Sequence, residues 1–516
     1  MAMPIQRYSQ PIIEDDDEIN ECDEIRRLPQ SYSTARCRRI CLDFTTIQDI
    51  RLVQAWLLDN TWPNLNSLVL HNNTQDLFPL MLPPRFPLLR GLYLERFIVV
   101  IPPTDLPNLT ELHYYLQIDI GPGSNFMTSQ DRLVSLVSAS RMVEQLHLRG
   151  SLCLSAATFT HSPPVPFPRL VKLYVEDEWK HLSESKALGY FAVPPTSQLL
   201  LFAHSNDFTY DLGNKGFWSH ILPPDYRTTL PMLTLTRALR LIMGMNVHYE
   251  TPGNEHGVPF SEGIVLSGAT DPSGLSNGLT TPDTPSTWFL AATDTQGEAE
   301  EAILVMLREI PQMLDCSKLL HLEMHMQIYF PPDPMRNEWQ EDLLKHLVNL
   351  EYFEVGGGPS IKRVVSALTE YESTLPKLTH LAFCYAAVPC QTIIVPQRVR
   401  VMLERRRERN RPLQRLTFLI PDQPRNNLAG CKTLIPETNA MVASVQQLVQ
   451  GFITVEVVRK YCDACHEADS EEDYASIGQY HFEEEQPEPD SDEEMGMSFR
   501  GRADVRGWTG GPTFIA

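Results

Sequence analysis

The sequence predicts an α/β fold, an irregular leucine-rich-repeat solenoid with parallel strands on its concave side and helices and loops on its convex side. Three observations predict it. A triplet of the form apolar-x-x-apolar-x-apolar recurs along the chain. A tetrapeptide of the form apolar-Pro-x-Leu introduces five of its copies. Helix-period segments fill the longer intervals between copies.

The triplet reads Leu65, Leu68, Leu70; Leu89, Leu92, Leu94; Leu109, Leu112, Tyr114; Val143, Leu146, Leu148; and Leu170, Leu173, Val175. It resumes as Leu319, Leu322, Met324; Leu350, Phe353, Val355; Leu378, Leu381, Phe383; and Leu413, Leu416, Phe418. A weaker first copy is Cys37, Ile40, Leu42. The last two apolar residues of each copy alternate with others, as in a half-buried strand. Such a strand buries its apolar side only by stacking beside the next copy. The intervals are roughly 20 to 35 residues, around the 20–29 usual for repeats of this kind.

The introducing tetrapeptides are Trp62-Pro63-Asn64-Leu65, Phe86-Pro87-Leu88-Leu89, Leu106-Pro107-Asn108-Leu109, Phe167-Pro168-Arg169-Leu170 and Leu375-Pro376-Lys377-Leu378. Proline ends the preceding segment, because it cannot continue a helix and disfavours helix in the residue before it. Helical periodicity marks 129–143, 298–314, 339–350 and 361–375. Strands are also expected at Gln198-Leu199-Leu200-Leu201-Phe202 and Leu239-Arg240-Leu241-Ile242-Met243, continuing the stack with degenerate repeats around a loop with a short helix.

The organisation that follows has five parts. An acidic, disordered segment spans 1–34, and a first part of the solenoid 35–250. A disordered insertion rich in Gly, Pro, Ser and Thr spans 251–297, where Thr281 and Thr284 precede prolines. The second part of the solenoid spans 298–460, closed by a capping helix within Met441 to Val458. An acidic disordered tail spans 461–516.

Composition narrows the function classes. The net charge is -22, and Glu467 to Glu494 holds 13 carboxylates with no Lys or Arg. An acidic chain argues against nucleic acid as partner, since phosphate binding needs a basic face. No run of about 18 apolar residues suggests a membrane span, and the N-terminus has no apolar signal core. Ten scattered cysteines in 516 residues are unlike a disulfide scaffold. A reduced compartment, cytoplasm or nucleus, is expected.

Candidate chemistry is sparse. Cys462-Asp463-Ala464-Cys465-His466 has the haem-attachment spacing and is half of a zinc site, but no second ligand pair lies nearby. Arg398 to Arg411 holds seven arginines with Glu404 and Glu408. It reads as a solvated convex helix with Val399, Val401, Met402 and Leu403 beneath it, or as a basic patch for RNA, membrane or the acidic tail. Ser470 and Ser491 in that tail each have an acid three residues on. His113, His147, His321, His325 and His380 sit in or beside strands and read as surface or core residues. Gly356-Gly357-Gly358 lacks the lysine and spacing of a phosphate loop and reads as a widened repeat junction. No G-x-S-x-G elbow occurs. No catalytic, cofactor-binding or metal residue is assigned, and no cofactor is expected.

The triplets, the proline entry, the irregular units and the acidic tail together resemble the F-box/leucine-rich-repeat-like proteins of mushroom-forming fungi, over about residues 35–460. That resemblance implies a substrate receptor of a cullin-type ubiquitin ligase, joined to a Skp-type adaptor by an F-box. An F-box opens with a Leu-Pro-x-Glu-like helix start. This sequence offers Leu28-Pro29-Gln30-Ser31-Tyr32, and its first strand begins by Cys37. No F-box is recognisable in this sequence: either it was lost ahead of Met1 or this member lacks it, and the Skp-type adaptor stays open as a partner.

The expected function is a non-catalytic protein-binding scaffold whose partner lies on the concave strands. The outward residues between core positions are Val69, Tyr93, His113, His147, Tyr174, Glu323, Glu354 and Ala382. The alternatives are a structural or regulatory repeat protein unconnected with ubiquitin, and an enzyme with an unrecognised site.

Overall fold

The computed structural model describes residues 34, 37–74, 77–101, 106–116, 130–150, 164–185, 187–205, 216–245, 248–251, 254–259, 262–271, 275, 288–294, 300–326, 343–356, 358–385, 395–421, 429–450 and 453–460. The chain divides into two units, Met1–Glu467 and Ala468–Ala516, and all described residues belong to the first. The acidic segments expected at 1–34 and 461–516 thus lie outside the described residues, apart from Thr34.

Fifteen strands form one sheet. In chain order they are β1 (Arg39–Phe44), β2 (Ser67–Asn72), β3 (Gly91–Glu95), β4 (Glu111–Tyr115), β5 (Gln145–Arg149), β6 (Lys172–Glu178), β7 (Gln198–Ser205), β8 (Ala238–Met245), β9 (Glu262–Ala269), β10 (Trp288–Asp294), β11 (His321–Met326), β12 (Tyr352–Gly356), β13 (His380–Cys384), β14 (Arg415–Pro421) and β15 (Thr454–Lys460). Across the sheet the order is β1-β2-β3-β4-β5-β6-β7-β10-β9-β8-β11-β12-β13-β14-β15. Every pairing is parallel except those of β9, which runs antiparallel to both of its neighbours. The molecule is therefore α/β with a long, parallel-rich sheet.

The last two residues of each triplet lie in a strand and share one face. Leu68, Leu92, Leu112, Leu146 and Leu173 are register partners in turn, as are Leu70, Leu94, Tyr114, Leu148 and Val175. Leu322, Phe353, Leu381 and Leu416 continue the pattern beyond β8. All are buried in one hydrophobic cluster. At about 1.5–3 kcal/mol per fully buried large apolar side chain, this row is the main source of cohesion between neighbouring strands.

The proline tetrapeptides are β-turns. The N–H of Leu89 donates to the carbonyl of Phe86, Leu109 to Leu106, Leu170 to Phe167 and Leu378 to Leu375, at 3.1 to 3.4 Å. Proline thus occupies the second turn position, where its fixed φ is already right. The flanking apolar residues of these four turns are all buried.

Among the described residues, seven longer helices pack on the face carrying the triplet side chains: α1 (Ile47–Asp59), α2 (Gln130–Ala139), α3 (Trp179–Ser185), α4 (Glu300–Met313), α5 (Gly358–Glu370), α6 (Pro396–Glu408) and α7 (Ala429–Leu448). Thr46 caps α1 by accepting from the Asp49 N–H at 3.2 Å. In α5, Ile361, Val364, Val365 and Leu368 form one buried stripe at helical spacing, and Val399, Met402 and Leu403 do the same for α6.

The structure departs from expectation at four places. Of the helix expected over 339–350, residues 345–350 form turns held by bonds of the His346 N–H to Leu343, Leu347 to Leu344 and Leu350 to Leu347. Within 251–297, β9 and β10 are regular strands inserted between β7 and β8, so those two do not adjoin as continuous repeats would. A two-stranded antiparallel hairpin, His248–Thr251 with Asn254–Pro259, precedes them. Gly268 makes the insertion fit, because a Cβ there would lie 2.2 Å from the buried Trp288 ring. At the C-terminal end, the helix expected within 441–458 starts earlier and stops at Leu448, and β15 closes the sheet instead. Val455 and Val457 sit in register with Leu416 and Phe418, so this stretch continues the strand array. Finally, α1 fills the interval between β1 and β2, a helix that the triplet pattern does not predict.

Candidate functional site

The face opposite the helices carries the side chains that alternate with the core row. All eight residues expected to face outward fall in a single row across it. Val69, Tyr93, His113, His147 and Tyr174 are successive register partners on β2 to β6. Glu323, Glu354 and Ala382 follow one another on β11 to β13. Leu200, Phe289, Ser267 and Arg240 bridge the two groups.

The row is not the open surface it was expected to be. Only Tyr93 and His113 are partly exposed, while Val69, His147, Tyr174, Glu323, Glu354 and Ala382 are buried. The cause is lateral crowding. Parallel strands lie about 4.8 Å apart, so large side chains at equal register cover one another. Residues two positions away along each strand then reach over them. Tyr93 donates to the Glu111 carboxylate, Tyr352 to Glu354 Oε2 at 2.7 Å, and Tyr174 to Glu176 Oε2 at 2.5 Å. The solvent-facing groups belong to these flanking rows, among them Glu111, Gln145, Lys172, Tyr115 and Arg149, with His321, Tyr352 and His380 at the other end.

Two chemically different zones result. Over β3 to β10 the rings of Tyr93, His113, His147, Tyr174, Phe202 and Phe289 form a continuous ladder with centroid separations of 4.1 to 5.3 Å. Burial lowers the His113 imidazole to about 4, aided by the Lys172 charge. Burial, then His113 and Lys172, carries His147 down to about 2. Both rings are therefore neutral at physiological pH. At the edge of this zone Glu176 accepts from His204 at 3.2 Å and pairs with Arg149 at 3.2 Å. Burial opposes its ionisation, but these partners and Tyr174 hold its carboxyl below the usual range.

Over β8 to β13 the face is ionic. Arg240 Nε lies 2.5 Å from Glu323 Oε2, and His321 Nε2 lies 3.0 Å from Glu323 Oε1. Burial opposes the charge on Glu323, yet His321 and Arg240 outweigh it and bring the carboxyl to about 2. The His321 ring stacks on Tyr352 at 4.1 Å. Beside them, His325, Glu354 and Cys384 bring an imidazole nitrogen, a carboxylate oxygen and a sulfur within 4.8 Å of one another.

The other candidates resolve as follows. His113, His147, His321, His325 and His380 all fall on this one face. Gly356 ends β12 and Gly358 begins α5, with Gly357 outside the described residues. The arginine-rich segment is α6 and its exit. Arg406 is buried and donates to the carbonyls of Thr374, Leu375 and Leu378, while Arg409 and Arg411 donate to those of Thr369 and Glu372. Arg400 pairs with Glu404, and Arg405 with Glu408. Much of this positive charge is thus engaged within the fold. Cys462, Cys465 and His466 lie outside the described residues. No helix among the described residues is long and apolar enough to cross a membrane.

The chain matches no protein-family model and no curated protein.

Proposed function

We propose that this chain is a non-catalytic protein-binding scaffold of the leucine-rich-repeat kind, with its partner on the sheet face opposite the helices. The observation that carries the reading is the register. Equivalent positions of successive strands fall into continuous rows, so one face offers a graded array of side chains. The contacting groups are the half-buried Tyr93 and His113 together with the flanking Glu111, Tyr115, Arg149 and Lys172. Tyrosine and arginine held by neighbouring contacts suit an interface, because little conformational freedom is lost on binding. The buried middle row supports these groups from below.

On the resemblance to F-box/leucine-rich-repeat-like proteins, the scaffold is a substrate receptor of a cullin-type ubiquitin ligase, or a relative of one without the F-box. Photo-crosslinking tests the surface. A crosslinking residue at Tyr93 or Lys172 is expected to trap a protein partner, whereas one at Lys362 on α5 is not. Trapping only from Lys362 removes the proposed face. Co-purification with a Skp-type adaptor tests the ligase role. Failure to bind the adaptor, alongside stable capture of another partner, removes that role and leaves the scaffold.

A further inference from the structure

We propose that His325, Glu354 and Cys384 form a binding site for one divalent cation of the zinc class, on the sheet face opposite the helices and independent of any protein partner. The three residues come from adjacent parallel strands, β11, β12 and β13. His325 and Cys384 both register with Gly356, and Glu354 precedes Gly356 by one alternation on the same face. All three side chains are buried, and their donor atoms lie within 4.8 Å of one another. Zinc bonds of about 2.0–2.3 Å in a tetrahedron place ligand atoms roughly 3.3–3.7 Å apart. His325 Nε2 and Glu354 Oε1 already stand at 3.4 Å. A modest rotation of side chains closes the rest.

Three further features suit a cation. Gly356 keeps the space between the ligands clear, because a Cβ there would lie 2.5 Å from His325 Nδ1. Tyr352 donates to Glu354 Oε2 at 2.7 Å, which turns Oε1 towards His325. Such outer hydrogen bonds orient ligands in metal sites. Ala382, Leu419, Tyr352 and Val458 pack around Cys384 as an apolar wall. The donor set of thiolate, imidazole and carboxylate favours zinc over calcium or magnesium, which take oxygen ligands. On binding, the Cys384 thiol loses its proton to solvent. The carboxylate and thiolate then neutralise the cation, and a fourth position remains for water or another ligand. The bound ion ties three neighbouring strands together.

The test uses the full chain, stripped with a chelator and titrated with Co²⁺, followed by Zn²⁺. One equivalent of Co²⁺ is expected to give thiolate-to-cobalt charge-transfer absorption that Zn²⁺ abolishes. Cys384→Ser removes that band. Glu354→Gln and Gly356→Ala weaken Zn²⁺ binding at least tenfold, and Tyr352→Phe weakens it about 10–100-fold. The paired change Cys462→Ser and Cys465→Ser leaves the stoichiometry and the band intact, which separates this site from the cysteines of the tail. The proposal is overturned if the wild-type chain takes up no stoichiometric Co²⁺, if the band survives Cys384→Ser, or if it disappears with the tail cysteines. Binding unchanged by both Glu354→Gln and Gly356→Ala overturns it as well, whether or not Cys384→Ser folds.

Discussion

Arg406 Nη2 lies 3.1 Å from the carbonyl oxygen of Leu375, so helix α6 supports the turn that leads into β13, the strand before it in the chain. Leu375 has φ of 46°, a left-handed conformation that costs a branched residue energy, and Pro376 follows it. The same guanidinium reaches the carbonyls of Thr374 and Leu378. Burial, with Arg411 and Arg409 nearby, lowers it to about 10, so it remains charged at neutral pH. Replacing it with methionine keeps the length, removes the guanidinium donor from the Thr374 and Leu378 carbonyls, and leaves the Leu375 carbonyl only the Leu378 N–H of the turn. Arg406→Met is expected to lose at least about 2 kcal/mol of stability. Arg406→Lys also loses stability, because an ammonium lacks the planar fork. Denaturation midpoints check both, and a wild-type midpoint for Arg406→Met contradicts the bracing role.

Gly268 and Trp288 are register partners on β9 and β10, and the indole occupies the space a side chain at 268 would need. The indole Nε1 donates to Thr236 Oγ1 at 2.8 Å, which fixes the ring in place. Gly268→Ala is expected to cost about 1–3 kcal/mol by overpacking. Adding Trp288→Leu should recover part of that loss, because the smaller side chain vacates the clash. Calorimetry on the single and double variants separates the outcomes. Strictly additive losses would mean that the two residues do not compete for space.

How legible these features were depends on whether the determining contacts are local. The strands and their inward faces follow from period-two alternation within a few residues, as in Leu92-Tyr93-Leu94. The proline turns are encoded in four residues. By contrast, β9 is paired on both edges and carries Ile264, Val265 and Leu266 buried on both faces, so its alternation is lost. The row from Val69 to Ala382 was identifiable as a face. Its burial was not, because cover comes from other strands and from residues two positions away. His325, Glu354 and Cys384 are each about thirty residues apart and meet only through register. Arg406 looked like one charge among seven, since nothing local marks the carbonyls it serves.

Glu309 of α4 accepts from the backbone N–H of Trp218 at 2.7 Å and of Ser219 at 3.2 Å. A buried carboxylate thereby satisfies the start of a helical turn 91 residues earlier in the chain. Glu309→Ala is expected to cost about 1–2 kcal/mol, in line with loss of a helix cap. Glu309→Gln should cost less, because the amide oxygen still accepts. Amide hydrogen exchange gives the specific readout: protection at Trp218 and Ser219 should fall in the alanine variant. Unchanged protection at both would show that the contact holds nothing in place.

His113 and His147 make stability fall on mild acidification. His113 faces Tyr93, Tyr115, His147 and Lys172, and His147 faces His113, Tyr115, Tyr174 and Lys172. Both stay neutral in the fold, at about 4 and about 2, whereas an unfolded histidine titrates near 6.5. Below that value the unfolded chain binds protons that the folded chain does not. Stability is therefore full above about pH 6.5 and declines as pH falls, by up to about 1.4 kcal/mol per pH unit for each ring. The His113 contribution levels off near pH 4, and that of His147 continues towards pH 2. His71 has the opposite sign. Its hydrogen bond with Glu95 raises its imidazole, so its stabilisation is present in acid and fades as pH rises through the raised value. The comparison of variants isolates the buried rings. Between pH 7 and pH 4.5, His147→Phe should lose less stability than the wild type in urea titrations. A variant curve as steep as the wild-type curve would show that His147 takes up its proton within the fold.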